Sequence, residues 1–473
     1  MISWTLDGRP IRLSDWEATT AVNAGYDTAR GRSPRGDVVH AVQGSILTAY
    51  RTDASVMWQG RLAQPPTIRR GVAQLEAGGF HRKLRKTSRP MLYRFDDISA
   101  WVPGDGDPHE YLSSEKYEQS IYPGRMVLTI DKDEAYVAGN KNRAVLWLED
   151  NRISKVEYDW SISSSASNFD LLLERGDGPD GTLTTEHTQT LSPTTSGTRT
   201  VSLTGNNDLV CLNLECNTNT TPTTKRKVII TGIRVYGRST SDNVTASDVA
   251  SDIADMAGLE DNVTGTETRI LPLFFEAGSH ADRLDFLAAF EDFRWLVLEN
   301  RGDGPRLDYG PYSRVWRVTE ERGAVYDLVD QERFNEVRVF FRAPSGRSRT
   351  VTAEADAGIS YTNTYEFEWE LPQASSGIAT SVATRVVNRL SQRRVAGSVE
   401  VREVTDTNGA YRAGHDVLAG DLLDLTDQAD LPPQRIVRVT YREDGVRIDL
   451  ENDVDLTALL RGKQRRRLVR NSL

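Results

Sequence analysis

Lys155-Val156-Glu157-Tyr158-Asp159-Trp160-Ser161-Ile162 alternates polar and apolar side chains without a break. Successive side chains of a strand point to opposite faces, so Val156, Tyr158, Trp160 and Ile162 share a buried face and Lys155, Glu157 and Asp159 the other. The run 209–216 repeats the pattern. Val210, Leu212, Leu214 and Cys216 oppose Cys211, Asn213 and Glu215. The two cysteines of the chain therefore point to opposite sides of one strand and cannot pair. Similar runs at 126–130, 143–149, 169–174, 198–203 and 227–236 are separated by Ser/Thr-rich loops. Seven or eight such strands predict a β-sandwich over 105–240.

Toward the N-terminus the reading stays β. Ile2, Trp4 and Leu6 alternate, Asp7-Gly8 supplies a turn, and Ile11 and Leu13 resume the alternation. Glycine accepts the positive φ of a tight hairpin turn. Further strands are expected at 45–51, 55–62 and 71–76, which predicts a small barrel or sandwich over 1–104. Pro103-Gly104-Asp105-Gly106-Asp107-Pro108 marks the boundary.

Toward the C-terminus the period changes. Thr245-x-x-Asp248 reads as a capping box, followed by Val249, Ile253, Met256 and Ala257 on one face and Gly258 at the C-cap. A second helix begins at Ser279, and a hairpin follows at 295–309. Residues 241–335 are thus expected to form an α+β unit. From 336 to 460, strands at 337–341, 398–404, 422–425 and a Val437/Val446 hairpin surround a helix carrying Ile378, Val382, Val386 and Leu390. This predicts a β domain with one helix, closed by that hairpin and followed by a basic tail over 461–473. The fold class read from the residues is multidomain and mainly β, with a β-sandwich in the middle and an α+β unit after it.

The chemistry of catalysis is sparse. Six scattered histidines form neither H-x-H nor H-E-x-x-H, and no P-loop, dinucleotide fingerprint or G-x-S-x-G elbow occurs. No enzyme activity, cofactor or metal is expected. Gly176-Asp177-Gly178-Pro179-Asp180-Gly181 is read as turn chemistry rather than a calcium loop. The net charge of −10 is uneven. Residues 1–100 carry 15 Lys/Arg against 9 Asp/Glu, while 241–330 carry 8 against 19. Such asymmetry fits docking between complementary surfaces, not nucleic-acid binding. No apolar run reaches the length of a membrane span, and the N-terminus lacks signal-peptide features, so folding in the cytosol is expected.

The order of these pieces resembles the minor tail proteins, of tail-hub type, of long-tailed phages infecting actinobacteria. The resemblance rests on Val56-Met57-Trp58-Gln59-Gly60-Arg61-Leu62, then Gln74-Leu75-Glu76-Ala77-Gly78-Gly79, then Met91-Leu92-Tyr93-Arg94-Phe95-Asp96-Asp97-Ile98-Ser99-Ala100-Trp101. It continues through the 248–259 helix, Asp285-Phe286-Leu287-Ala288, Phe334-Asn335-Glu336-Val337-Arg338-Val339 and Gly420-Asp421-Leu422. It covers roughly 1–100 and 240–460. Membership implies two hub-type β-barrel domains, at 1–104 and 336–460, together with the α+β domain and an inserted jelly-roll β-sandwich, in a homotrimer whose paired barrels form a pseudo-sixfold ring at the virion tail tip, assembled in the host cytoplasm. It also implies a channel for the tape measure protein and for DNA in transit. The distal tail protein and other minor tail or receptor-binding proteins would be neighbours. The acidic segments would line the channel. The 105–240 segment departs from a minimal hub and resembles a galactose-binding-type domain, with Val228-Ile229-Ile230-Thr231-Gly232-Ile233-Arg234-Val235-Tyr236-Gly237 as its closing strand. Bracing of neighbouring subunits is favoured for it. The alternative is an adhesin that binds a host surface glycan, for which Trp147 and Tyr236 are the candidate carbohydrate-binding residues. Trp147 lies opposite Leu146 and Leu148, and Tyr236 shares a face with Arg234, so both are candidates for exposed contacts, although core or inter-domain packing is the favoured reading for each.

Overall fold

The computed structural model describes residues 2–104, 119–122, 125–130, 135–136, 138–139, 141–148, 151–164, 166–177, 182–192, 196–267, 269–275, 277–299, 304–342, 348–372, 376–428 and 430–451. The basic tail over 461–473 lies outside them, as does most of the 176–181 turn.

The chain is mainly β and multidomain. Its N-terminal hairpin pairs Ser3–Leu6 with Arg9–Ile11 across Asp7 and Gly8, both at positive φ. With Ser14–Ala21, Ala24–Pro34, Ile46–Tyr50, Val56–Leu62 and Val72–Gly78 it curls into a first barrel-like sheet. The second barrel closes on itself. Val315–Val318 pairs with Leu422–Leu425 and with Glu403–Thr405, and Gln434–Arg442, Gly445–Leu450 and Val395–Val401 complete the circuit. Ser14–Ala21 pairs antiparallel with Gln434–Arg442, so hydrogen bonds run from one barrel directly into the other. Trp4, Trp16 and Trp58 of the first barrel and Trp316, Val439 and Tyr441 of the second lie in one hydrophobic core.

The joining strand does not alternate. Ala18, Thr19 and Thr20 are all buried, because barrels cover both of its faces. Outside this core a row of opposite charges crosses the strands: Glu76 opposite Arg30, Arg30 opposite Glu17, and Glu17 opposite Arg442.

A second core holds three helices: α1 (Ala246–Ala257), α2 (His280–Glu291) and α3 (Ser376–Leu390). The capping box of α1 forms as expected, and Gly258 caps its end at φ +61°. Ser279 caps α2. The hairpin strand Arg294–Glu299 ties this unit to the first barrel by a parallel pairing that sets Val297 beside Gly25. Gly25 has φ +84°, and a Cβ there would lie 2.3 Å from the Val297 carbonyl oxygen, so the junction requires glycine.

The expected boundary at 335/336 falls differently. Glu336–Arg342, Ser348–Glu354 and Thr364–Pro372 form their own three-stranded sheet. Val337, Val339, Phe341 and the buried face of α3 pack with α1 and α2, not with the second barrel. The barrel instead takes Val315–Val318 and Val325–Asp330 from the preceding stretch. The period of α3 identified a helix, but periodicity does not say which core receives it.

The sandwich packs a sheet containing Arg125–Ile130, Lys155–Ile162, Ser196–Ser202 and Arg226–Tyr236 against a five-stranded sheet. The latter contains Val102–Gly104, Lys141–Trp147, Leu209–Cys216, Phe169–Gly176 and Thr184–Thr190. The faces read from sequence hold: Tyr158, Trp160, Leu212 and Cys216 lie in the core, with Cys211 on the outer face. Neither cysteine forms a disulfide. The sandwich starts before residue 105, however. Met91–Phe95 pairs with both Arg226–Tyr236 and Leu273–Phe275. Its Met91 and Tyr93 enter the helical core while Leu92 and Phe95 enter the sandwich core. One strand, whose register shifts between Leu92 and Arg94, thus serves two cores.

Candidate functional site

The two sequence candidates fall on opposite sheets of the sandwich and form no common site. Trp147 ends the Lys141–Trp147 strand on the outer face of the five-stranded sheet, opposite Leu209. It is half-buried against a small apolar cluster of Val145, Leu209 and Cys211. Its indole N–H donates to Asp208 Oδ2 at 3.1 Å. The neighbouring outer-face residues Val145, Cys211 and Asn213 are buried as well.

Tyr236 is buried, in keeping with the packing reading favoured for it and against the exposed-contact alternative. It stands opposite Arg94 where Met91–Phe95 meets the last sandwich strand. Its hydroxyl is 2.9 Å from both Glu157 Oε2 and Asp242 Oδ1, and donates its single proton to one of them at a time. The Lys155 ammonium sits 3.7 Å from the ring centroid and donates to Glu157 and to the Thr240 carbonyl, each at 3.0 Å. Arg234 donates to Glu157 at 3.0 Å. Arg94 forks onto Asp96 at 3.0 and 2.9 Å and reaches Asp242 at 3.0 Å.

Three cations thus meet three carboxylates around one phenol. Burial and the bonds to Asp242 and Glu157 push the Tyr236 hydroxyl pKa up. Burial would raise Glu157, but hydrogen bonds from Lys155, Tyr236 and Arg234 hold its carboxyl below the ordinary range. For Asp96 burial wins over Arg94, and its pKa rises. The ring face that would stack on a sugar is occupied by Lys155. The arrangement is a joint that fixes the sandwich to the segment entering α1.

A second joint was not read from the sequence. α2 ends at Asp292, held in the left-handed region at φ 59°. Its carboxylate accepts from Arg435 of the second barrel at 2.8 and 2.5 Å and from Arg389 of α3 at 3.4 Å. Arg389 also pairs with Glu451, and Arg385, one turn earlier on α3, with Glu291 at 3.1 Å. Arg435 lies over the Tyr312 ring at 4.4 Å. Burial and the neighbouring Arg435 lower the Arg389 pKa to about 9, against the pull of Asp292. Asp292, Arg385, Arg389, Arg435 and Glu451 line a cleft of about 270 Å³ between α3 and the second barrel. The i, i+4 spacing of Arg385 and Arg389 was the available signal. Arg389 and Arg435 lie 97 and 143 residues from Asp292 along the chain, beyond local pattern reading.

Among the described residues, no group of three or more His, Cys, Asp or Glu side chains could hold a metal ion. No described helix is long and apolar enough to cross a membrane.

No protein-family model matches the chain, and no curated protein does. Among solved structures, the 43 kDa tail protein of prophage MuSo2 from Shewanella oneidensis is similar to this chain at a TM-score of 0.42 and 10% identity. That alignment covers 96% of this chain and 98% of that one. A mutant of a family 29 carbohydrate binding module aligns at a TM-score of 0.21 and 9% identity, over 32% of this chain and 92% of that one. A second mutant of such a module, complexed with mannohexaose, aligns at 0.20 and 8%, over 32% and 92%.

Proposed function

We propose that this chain is a structural protein of a phage tail, a hub subunit at the tail tip that acts as a homotrimer. In this reading it joins the tail tube, through the distal tail protein, to distal tip or receptor-binding proteins. It surrounds a passage for the tape measure protein and for DNA, and it is assembled in the host cytoplasm before joining the virion. The observation that carries the reading is the paired barrels welded through the Ser14–Ala21 and Gln434–Arg442 ladder over one core. Two rigidly coupled barrels per copy give six around a threefold axis, the geometry the sequence resemblance implies. No catalysis, metal or cofactor is assigned.

The sandwich is read as a brace. Tyr236 spends its hydroxyl and its ring face within the protein, and Trp147 spends its indole N–H on Asp208. The adhesin alternative would need an aromatic platform that neither residue provides. Negative-stain imaging of the purified protein, with two-dimensional averaging, tests the main reading. Threefold rings with a central hole are expected. Particles that remain single copies, both alone and when mixed with isolated tail tubes, would refute it.

A further inference from the structure

The two barrels are crossed by one unbroken antiparallel ribbon. In order its strands are Val325–Asp330, Val395–Val401, Gly445–Leu450, Gln434–Arg442, Ser14–Ala21, Ala24–Pro34, Val72–Gly78 and Thr67–Arg69. Each end is an open edge. Among the described residues, Val325–Asp330 pairs with Val395–Val401 alone and Thr67–Arg69 with Val72–Gly78 alone. An open edge presents unpaired N–H and C=O groups that recruit another strand unless charge, proline or a cover blunts it.

Each edge exposes β-branched apolar side chains beside charges, and the charges of the two edges are opposite in sign. On the second-barrel edge Val325 and Val329 are 62% and 65% exposed, flanking exposed Asp327 and followed by exposed Asp330. The six residues contain two acids and no base. On the first-barrel edge Ile68 is 45% and Val72 43% exposed, beside exposed Arg69 and Arg70. The stretch from Arg61 to Leu75 contains three arginines and no acid. Ile68 is opposite Ala73, which is wholly buried, so Ile68 lies on the core side of its strand. It is exposed because no strand lies beyond it.

We propose that Val325–Asp330 of one copy docks edge-to-edge on Thr67–Arg69 of a second copy of this chain. The second copy is the occupant because the two edges match in charge, in β-branched apolar exposure and in strand form. They also sit at opposite ends of a single ribbon, which separates them within one copy. Such a contact is heterologous: the head of one copy meets the tail of the next, and the chain of copies closes into a ring when the rotation allows. The proposal rests on the reading that copies assemble and adds which surfaces join them.

Sedimentation velocity on the full chain over a concentration series tests it, with charge-reversed variants. Arg69→Glu with Arg70→Asp sets acid against acid, and aspartate suits the positive φ of residue 70. Asp327→Arg with Asp330→Lys sets base against base. Each pair is expected to weaken association about tenfold or more, and all four changes in one chain to restore it to within roughly threefold. Amide exchange is expected to slow over 66–73 and 324–331 as concentration rises, which reads the contact without any substitution. Wild-type oligomers indifferent to the reversals, with no protection at either edge, would overturn the edge contact and leave the assembly reading standing. Wild-type protein that is monomeric throughout and never joins tail tubes would overturn both.

Discussion

Replacing Asp292 by asparagine isolates the charge that holds α2 and α3 to the second barrel. Asparagine keeps the shape and tolerates the left-handed backbone at this position. It leaves Arg435 facing a neutral amide, while Arg389 retains Glu451. Removing one partner of a fully buried pair costs about 3–5 kcal/mol, whereas an exposed pair is worth about 0–1. Arg435 is 18% exposed and Asp292 35%, so solvent screens part of the interaction. A cost of about 2 kcal/mol follows, close to a thirtyfold increase in local opening at this joint. Native-state amide exchange over 385–394 and 434–442 measures that opening without assuming that this multidomain chain unfolds in one step. A double-mutant cycle with Arg435→Met is expected to return a coupling of about 1.5–2 kcal/mol. The acid dependence gives a second check. Burial alone would raise the Asp292 pKa, but Arg435, Arg389 and Arg385 together hold it below the ordinary range. Its stabilisation is therefore present above the unfolded-state value of about 4 and is lost as pH falls through the lower native value. The difference between wild type and variant is expected to be constant from pH 7 to about pH 5 and to shrink only in stronger acid. A coupling under about 0.5 kcal/mol at pH 7 would refute the joint.

Other changes probe the remaining contacts. Gly25→Ala drives a methyl group into the Val297 carbonyl at positive φ, and a loss of about 2–4 kcal/mol is expected, seen as faster exchange over 294–299. Tyr236→Phe removes the hydroxyl between Glu157 and Asp242 and is expected to cost about 1–2 kcal/mol by thermal unfolding. In a glycan titration, neither Tyr236→Phe nor Trp147→Ala is expected to change the signal, and a loss of measurable sugar binding in either would revive the adhesin reading. His280 is buried, and burial with Arg283 and Arg238 lowers its pKa to about 4. The native state then takes up its proton later than the unfolded chain, so stability is expected to fall by up to about 3 kcal/mol between pH 6.5 and pH 4. His280→Gln flattens that fall if the argument holds. Asp421 is buried and its pKa raised by burial, despite the 2.8 Å bond from the Trp316 indole N–H. Asp421→Asn keeps an acceptor and removes the buried charge, so a change within about 0.5 kcal/mol is expected in urea unfolding at pH 7.

What the sequence made legible was local. Lys155–Ile162 declared its faces because one side meets a core and the other does not. Thr245 and Asp248 declared a helix start because capping is a short-range bond. Ser14–Ala21 and Ala24–Pro34 went unread: the first is covered on both sides and built from Ala and Thr, and the second opens with small residues at a close backbone approach. They are the strands that join the two barrels and the helical unit. The assignment of α3 to a core failed for a related reason, since the choice depends on partners more than 80 residues away. Tyr236 shows the limit for sites. Sharing a face with Arg234 left exposed contact open beside the favoured packing reading, and only the structure decides it: that face carries Lys155, Glu157 and Arg94, which close over the ring. A charged neighbour in sequence marks a wet surface only when its charge has no partner.

The hydrogen-bonded passage from Ser14–Ala21 into Gln434–Arg442 has a mechanical consequence. Two barrels linked by a flexible tether could swivel, and a collar made of them could widen like an iris. Here, swivelling would tear a ladder of backbone bonds and part a shared core that includes Trp58 and Tyr441. Each copy therefore behaves as a stiff stave. If such staves stand around a passage, its bore is set when they assemble, and opening must come from something that leaves the bore or from sliding at the seams between copies.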